Sequence, residues 1–141
     1  MSDLIHPTAS IHPSAVVEDG AAVGAESRVW HHGHVMAGAV IGERCSFGHA
    51  CFVASGVVVG DGVRVQNHVS LYEGVVVEDE VFLGPSCVVT NVRTPRAGVS
   101  RKGGYDTTVL RRGCSIGATA TIVCGVTVGS WALVGAGAVV T

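Results

Sequence analysis

The sequence predicts an all-β solenoid of about seven triangular coils with one inserted loop, and three observations lead there. A large apolar residue recurs at every sixth position from Ile5 to Val89 without exception. A second column of small or β-branched residues follows each of these by four positions, from Ala9 to Cys87. The composition joins 20 glycines and an abundance of valine to only 5% aromatic residues, as very short strands separated by frequent turns require.

A period of six suits neither a helix, whose apolar face repeats every three or four residues, nor a long strand, which alternates by two. It suits a chain folded into short flat sides, each pointing one large side chain inward and filling the neighbouring corner with a smaller one. Three sides close a coil of eighteen residues, and stacked coils pair through parallel ladders about 4.8 Å apart. One coil cannot bury its own inner face, so the coils are stable only as a stack.

The chain opens with the hexads IHPTAS and IHPSAV. Their Pro7 and Pro13 fix the backbone and remove a donor, which suits an outer rung. Glycines directly after the large residue, such as Gly24, Gly42, Gly117 and Gly129, are expected to supply permissive turn angles. After Val89 the rhythm fails. The next inward residue is due at position 95 and arrives at Leu110, an insertion of fifteen residues that places a loop at about 92–108 in a single unit spanning 1–141. The rhythm then runs on through Val140.

With 48% apolar residues and 14% charged ones the chain has ample material for a core, and its net charge of −2 argues against a nucleic-acid partner. No apolar run is long enough to suggest a membrane span, and Met1 to Ser10 has neither the basic nor the apolar segment of a signal peptide, so a soluble cytoplasmic protein is expected. Five cysteines without a CxxC pair suit a reducing compartment. Cys45, Cys51, Cys87 and Cys114 fall in the small inward column and read as core. Cys124 is off register and reads as structural too.

Stacking by eighteen places His31, His49 and Asn67 in one corner column, with His32, His34 and His68 nearby. Stacked imidazoles point the same way instead of converging, so no metal is expected. His6, His12 and His32 read as solvated corner residues, and His31, His34, His49 and His68 as candidates to line a groove. The insertion is the strongest departure from the repeat, and departures from an otherwise unbroken rule mark function. It carries Asn91 at its root, then Arg93, Arg96, Arg101, Lys102 and Tyr105. Guanidinium forks match phosphate and carboxylate oxygens, so a phosphorylated or acidic ligand is expected.

Together these residues resemble the left-handed parallel β-helix acyltransferases built of hexapeptide repeats. The hand is taken from that resemblance, against the general preference for right-handed crossovers. Its marks are Val29-Trp30-His31 with His34, the runs VQNHVSLYEGV and GPSCVVTNVRTPRA, the Arg101-Lys102 pair, and the runs TIVCGVTVG and VGAGAVVT. More narrowly, the chain resembles bacterial N-acetyltransferases that act on the 3-amino group of UDP-2-acetamido-3-amino-2,3-dideoxyglucuronate in surface polysaccharide (lipopolysaccharide) biosynthesis.

That resemblance implies acetyl-CoA as co-substrate, a UDP-amino sugar as acceptor, and a homotrimer with sites between subunits. It implies Asn91 as the catalytic residue that orients the amine. Substrate contacts are expected from Asn67, Tyr72, Arg96, Arg101, Lys102, Tyr105, His31 and His34. Backbone contacts to the pantetheine arm are expected near Gly117, Ala118, Gly135 and Ala136. The family continues beyond the counterpart of Thr141 into a proline-containing segment and a short helix that cap the last coil, so a cap absent from this sequence is expected to follow it. His49-Ala50 and His68 depart from the Gln and Asn of many relatives, which bears on sugar specificity. Transfer to a hydroxyl remains an alternative. A γ-type zinc carbonic anhydrase on the same helix is another, although its usual HxxxxH pair is missing. An ice-binding scaffold would need an outward column of threonines, and none runs through the chain.

Overall fold

The computed structural model describes residues 3–141, so the first two residues of the expected 1–141 unit lie outside the described residues. Twenty strands of two or three residues, numbered β1–β20 in chain order, build it, with no helix among the described residues. The first face stacks β1 (Ser10–Ile11), β4 (Arg28–Val29), β7 (Ser46–Phe47), β10 (Arg64–Val65), β13 (Phe82–Leu83), β16 (Ser115–Ile116) and β19 (Leu133–Val134). The second holds β2 (Val16–Val17), β5 (His34–Val35), β8 (Phe52–Val53) and β11 (Ser70–Leu71) in one ladder. A separate ladder continues it with β14 (Val88–Val89), β17 (Thr121–Ile122) and β20 (Val139–Val140). The third stacks β3 (Ala22–Val23), β6 (Val40–Ile41), β9 (Val58–Val59), β12 (Val75–Val77), β15 (Thr108–Leu110) and β18 (Thr127–Val128), and Ile5 extends it by a parallel bridge to Val23.

Every ladder is parallel, and the register confirms the expected coil. Val29 pairs with Phe47 and Phe47 with Val65, steps of eighteen residues. Across the insertion Val77 pairs with Leu110, Leu83 with Ile116 and Val89 with Ile122, steps of thirty-three. The fifteen extra residues therefore leave the stack after β14 and return at β15. The inward column forms one continuous core, with Val23, Val35, Phe47, Leu71, Leu83, Leu110, Ile116 and Ile122 at most 1% exposed. Each such side chain contributes about 1.5–3 kcal/mol on leaving water.

The corners explain what the period alone does not. Let the large inward residue be position 1; positions 2–4 then turn the corner, position 5 is the small inward residue and position 6 faces outward on the next strand. From Gly20 onward, outside the insertion, position 4 has positive φ throughout, and nine of these residues are not glycine, among them His32, Ala50 and His68. Such angles cost a non-glycine residue about 1–2 kcal/mol. A hydrogen bond to the preceding coil compensates: Ala50 N–H donates to the His31 carbonyl at 2.9 Å, His68 to His49 at 2.8 Å and Thr119 to Pro85 at 3.0 Å.

Two sequence expectations change here. The position-2 glycines do not have positive φ, and what requires those from Gly24 to Gly117 is the next coil. A Cβ on Gly24 would lie 2.5 Å from the Gly42 carbonyl oxygen, and one on Gly117 would lie 2.5 Å from the Ala136 nitrogen. The prolines have a different reason as well. Position 3 is the corner residue whose N–H has no backbone partner among the described residues, so proline loses nothing there. Pro85 occupies it in the middle of the stack, which shows that an outer rung is not the condition.

Steric contact with the next coil separates glycines that look alike in the sequence. Gly42→Ala, against backbone at 2.5 Å, should destabilise the protein by about 1–3 kcal/mol, whereas Gly129→Ala, with nothing within 4 Å, should leave stability within about 1 kcal/mol of the parent. Urea denaturation of the two variants measures the difference, and equal effects would contradict it.

Candidate functional site

The first corner, which follows the first face, gathers the histidines. His12 stacks on His31 with ring centroids 3.6 Å apart, and His31 lies 6.5 Å from His49. His49 meets His32 at 5.4 Å and His68 at 5.3 Å, both edge to face. His12 is therefore part of the column, not simply a solvated corner residue. Burial, and then the neighbouring His31 and His32, hold its pKa below the ordinary imidazole value. Asn67 continues the column, and its Oδ1 accepts the His49 N–H at 2.8 Å. That bond gives Asn67 a structural role in addition to any ligand contact.

The second face joins two other nominated residues. His34 projects from β5, where its Nε2 lies 2.6 Å from Glu18 Oε2. Glu18 also accepts the Ala37 N–H at 3.1 Å. The hydrogen bond from His34, followed by that from Ala37, lowers the Glu18 pKa. Its contribution to stability is therefore present above the ordinary carboxylate value and is lost as the pH falls through the lowered one. The His34 ring then meets Phe52 at 5.4 Å, and Phe52 meets Tyr72 at 6.1 Å. Glu18 and Phe52 were not anticipated as site neighbours, although a separation of sixteen residues from Glu18 to His34 places them on adjacent coils.

The insertion leaves at the second corner. Asn91 takes position 3 there, and its Nδ2 donates to the Glu73 carbonyl one coil below at 3.1 Å. The Asn91 carbonyl accepts the Asp106 N–H at 3.1 Å, which closes the root of the loop. Arg93 ties the root to the body by donating to the Cys124 carbonyl at 2.9 Å, with Asp106 Oδ2 3.5 Å from its Nε. Cys124 is fully buried beneath this root, and its N–H is held by Thr90 Oγ1 at 2.9 Å. Farther out, Arg96, Arg101, Lys102 and Tyr105 line one open cleft of about 280 Å³. The loop thus brings its four nominated residues together. The described contacts of Asn91 are instead with the Glu73 and Asp106 backbone. Arg93, expected with the other loop cations to face an acidic ligand, instead anchors the assembly.

The nominated cofactor residues extend the first corner beyond the histidines. The Ala118 carbonyl already accepts from Gly137 N–H at 2.9 Å, and Gly117 N–H donates to Val134 at 2.8 Å. What remains over is the position-3 donor. At several other corners a side chain takes it: Asp61 Oδ1 accepts Glu43 N–H at 2.8 Å and Asp79 Oδ1 accepts Asp61 N–H at 2.7 Å. At Ala118 and Ala136 it has no partner among the described residues. The core cysteines offer no nucleophile, because burial pushes Cys87 and Cys114 up to about 11. Among the described residues no three His, Cys, Asp or Glu side chains converge as a metal site would require.

A model of the hexapeptide repeat of succinyl-transferase matches residues 38–73 and 112–141. No protein of curated function matches the sequence. Among solved structures, the acetyltransferase domain of PglB from Neisseria gonorrhoeae is 24% identical with a TM-score of 0.60, covering 87% of this chain and 52% of that one. The same domain solved with acetyl coenzyme A is 18% identical with a TM-score of 0.50, covering 96% and 52%. A mutant of AntD, an N-acyltransferase from Bacillus cereus solved with dTDP and coenzyme A, is 12% identical with a TM-score of 0.63, covering 94% and 75%. The chain thus spans about half the length of the PglB chains it matches. At these identities the likeness establishes the parallel β-solenoid fold.

The Arg93 anchor is testable. Arg93→Ala should speed tryptic cleavage within residues 94–104 several-fold while costing no more than about 1 kcal/mol of global stability, since the ion pair is exposed. Unchanged cleavage would show that the loop does not depend on this anchor.

Proposed function

We propose that this hexapeptide-repeat chain is an acetyl-CoA-dependent N-acetyltransferase acting on the amino group of a UDP-linked amino sugar in bacterial surface polysaccharide biosynthesis. The observation that carries this reading is the pair of unpartnered N–H groups at Ala118 and Ala136, one coil apart on the first corner. They supply donors at the spacing of successive amides in an extended pantetheine arm, on a solenoid whose solved neighbours include complexes with acetyl coenzyme A and with coenzyme A. The reading takes the protein as a cytoplasmic homotrimer, with the nucleotide sugar between the insertion of one subunit and the Asn67 to Tyr72 stretch of the next. His31, in the cleft beside Asn67, and His34, on the second face, are read as further contacts to the sugar.

In the reaction the acceptor nitrogen attacks the thioester carbonyl. An N–C bond forms, the C–S bond breaks, and the proton lost by nitrogen passes to the departing sulfur. The protein has to hold the amine at the carbonyl with its lone pair aimed correctly. Asn91 is suited to do so, because its Nδ2 is fixed on the Glu73 carbonyl at 3.1 Å, which orients Oδ1 to accept an amine hydrogen. Arg96, Arg101 and Lys102 would hold the acidic part of the acceptor, with Tyr105 and Tyr72 as neutral partners.

Thiol release from acetyl-CoA, measured against UDP-amino sugars with and without a C6 carboxylate, tests this directly. Turnover should require an amino sugar and favour the carboxylate. Asn91→Ala should lower it about 10- to 100-fold while stability falls by no more than about 1–2 kcal/mol. Parental turnover in that variant would refute the assignment.

A further inference from the structure

The insertion is not the only basic surface. On the first face, position 6 of successive coils places Arg28, Ser46 and Arg64 side by side in register. In the body of the solenoid Arg44, Arg111 and Arg112 are paired with Glu43, Glu78 and Glu80. Arg28 and Arg64 have no carboxylate partner among the described residues. Both are exposed on a flat ladder, where their Cα atoms stand two coil spacings, roughly 10 Å, apart.

The two arginines line a cavity of about 680 Å³ together with Thr8, Ser46, Arg44 and Glu26. Ser46 Oγ accepts from Trp30 Nε1 at 3.4 Å, which leaves its own proton available to a ligand oxygen. Trp30 is 43% exposed, and with Ser46 it lines a second cleft of about 320 Å³ together with His31, His49, Gln66 and Asn67. Ser46 lines both clefts, so the two adjoin as one trough on the first face, from Glu26 to the histidine corner.

We infer that this trough binds the diphosphate of a nucleoside diphosphate, with Arg28 and Arg64 gripping the two phosphates and Ser46 donating between them. Two forks separated by a hydroxyl fit two linked phosphates better than a lone anion, since each fork can bind one phosphate bidentately. Glu26 would repel a bare phosphate but can accept hydrogen bonds from ribose hydroxyls. That choice orients the ribose toward Glu26 and the group beyond the second phosphate toward Trp30 and Asn67. Only the ligand's identity as a nucleotide sugar rests on the function proposed above; the binding of the diphosphate does not require acetyl transfer.

Calorimetric titration of the full chain with UDP, inorganic pyrophosphate and uridine, in the absence of acetyl-CoA, tests the assignment. UDP and pyrophosphate should bind, and uridine should bind at least about tenfold more weakly. Arg28→Gln/Arg64→Gln should weaken UDP about tenfold or more with an unchanged melting temperature, whereas Arg111→Gln should bind as the parent does. Parental UDP affinity in the double variant, or no UDP binding by the parent at millimolar concentration, would overturn the inference. A protein that binds UDP through these arginines yet releases no thiol with any amino sugar would refute the proposed function and leave this site standing.

Discussion

The hydrogen bond from the position-4 N–H to the coil before it, made outside the insertion at each such corner from Glu26 to Gly137 except Gly74, is the interaction on which the molecule depends. It holds residues as different as Glu26, Arg44, Thr119 and Trp131 at positive φ. Strain of that size persists only where the surroundings over-determine it, and here the coil spacing does so. Because the corner is locked from both sides, the neighbouring position can carry any residue without disturbing the fold. Position 3 is proline at Pro13 and Pro85, histidine at His31 and His49, and Asp or Asn where a side chain satisfies the coil below. The ligand chemistry proposed above is built on that freedom.

The two ends of the first corner show its range. In the early coils imidazole rings follow one another along it, stacked from His12 to His31 and then tilted or edge to face through His49 to His68. In the late coils Gly117, Ala118, Gly135 and Ala136 leave backbone exposed. The second corner is used differently, since the stack opens there to release the insertion. Its root is closed by Asn91, Asp106 and Arg93 instead of by coil stacking. The ladder of the second face is divided at the same level, between β11 and β14.

The inward columns, the eighteen-residue coil and the length of the insertion were legible because burial imposes a strict period on residue type. The corners were not. A sequence shows where glycine occurs but not whether angle or contact requires it, so Gly24 and Gly117 were assigned to turns when the backbone of the next coil is what excludes a side chain. Cys124 lay off register because the loop root, not the core, buries it. The loop cations were found because they break the pattern. Arg28 and Arg64 were passed over because they obey it: position 6 faces outward, where a charge reads as solvated until its missing partner and its neighbours across coils are known. His34 was nominated, but its carboxylate partner sits sixteen residues earlier and shows only once the coil is drawn.

Fold and function are joined where the stack uses the corner N–H at position 4, as at Thr119 and Gly137, and leaves that at position 3, as at Ala118 and Ala136, to a ligand. Amide hydrogen exchange resolved by residue measures this most directly. Thr119 and Gly137 should be protected in the free protein while Ala118 and Ala136 exchange rapidly, and adding acetyl-CoA should protect Ala118 and Ala136 alone. Equal protection of all four in the free protein, or rapid exchange at Ala118 and Ala136 that acetyl-CoA does not slow, would contradict the account.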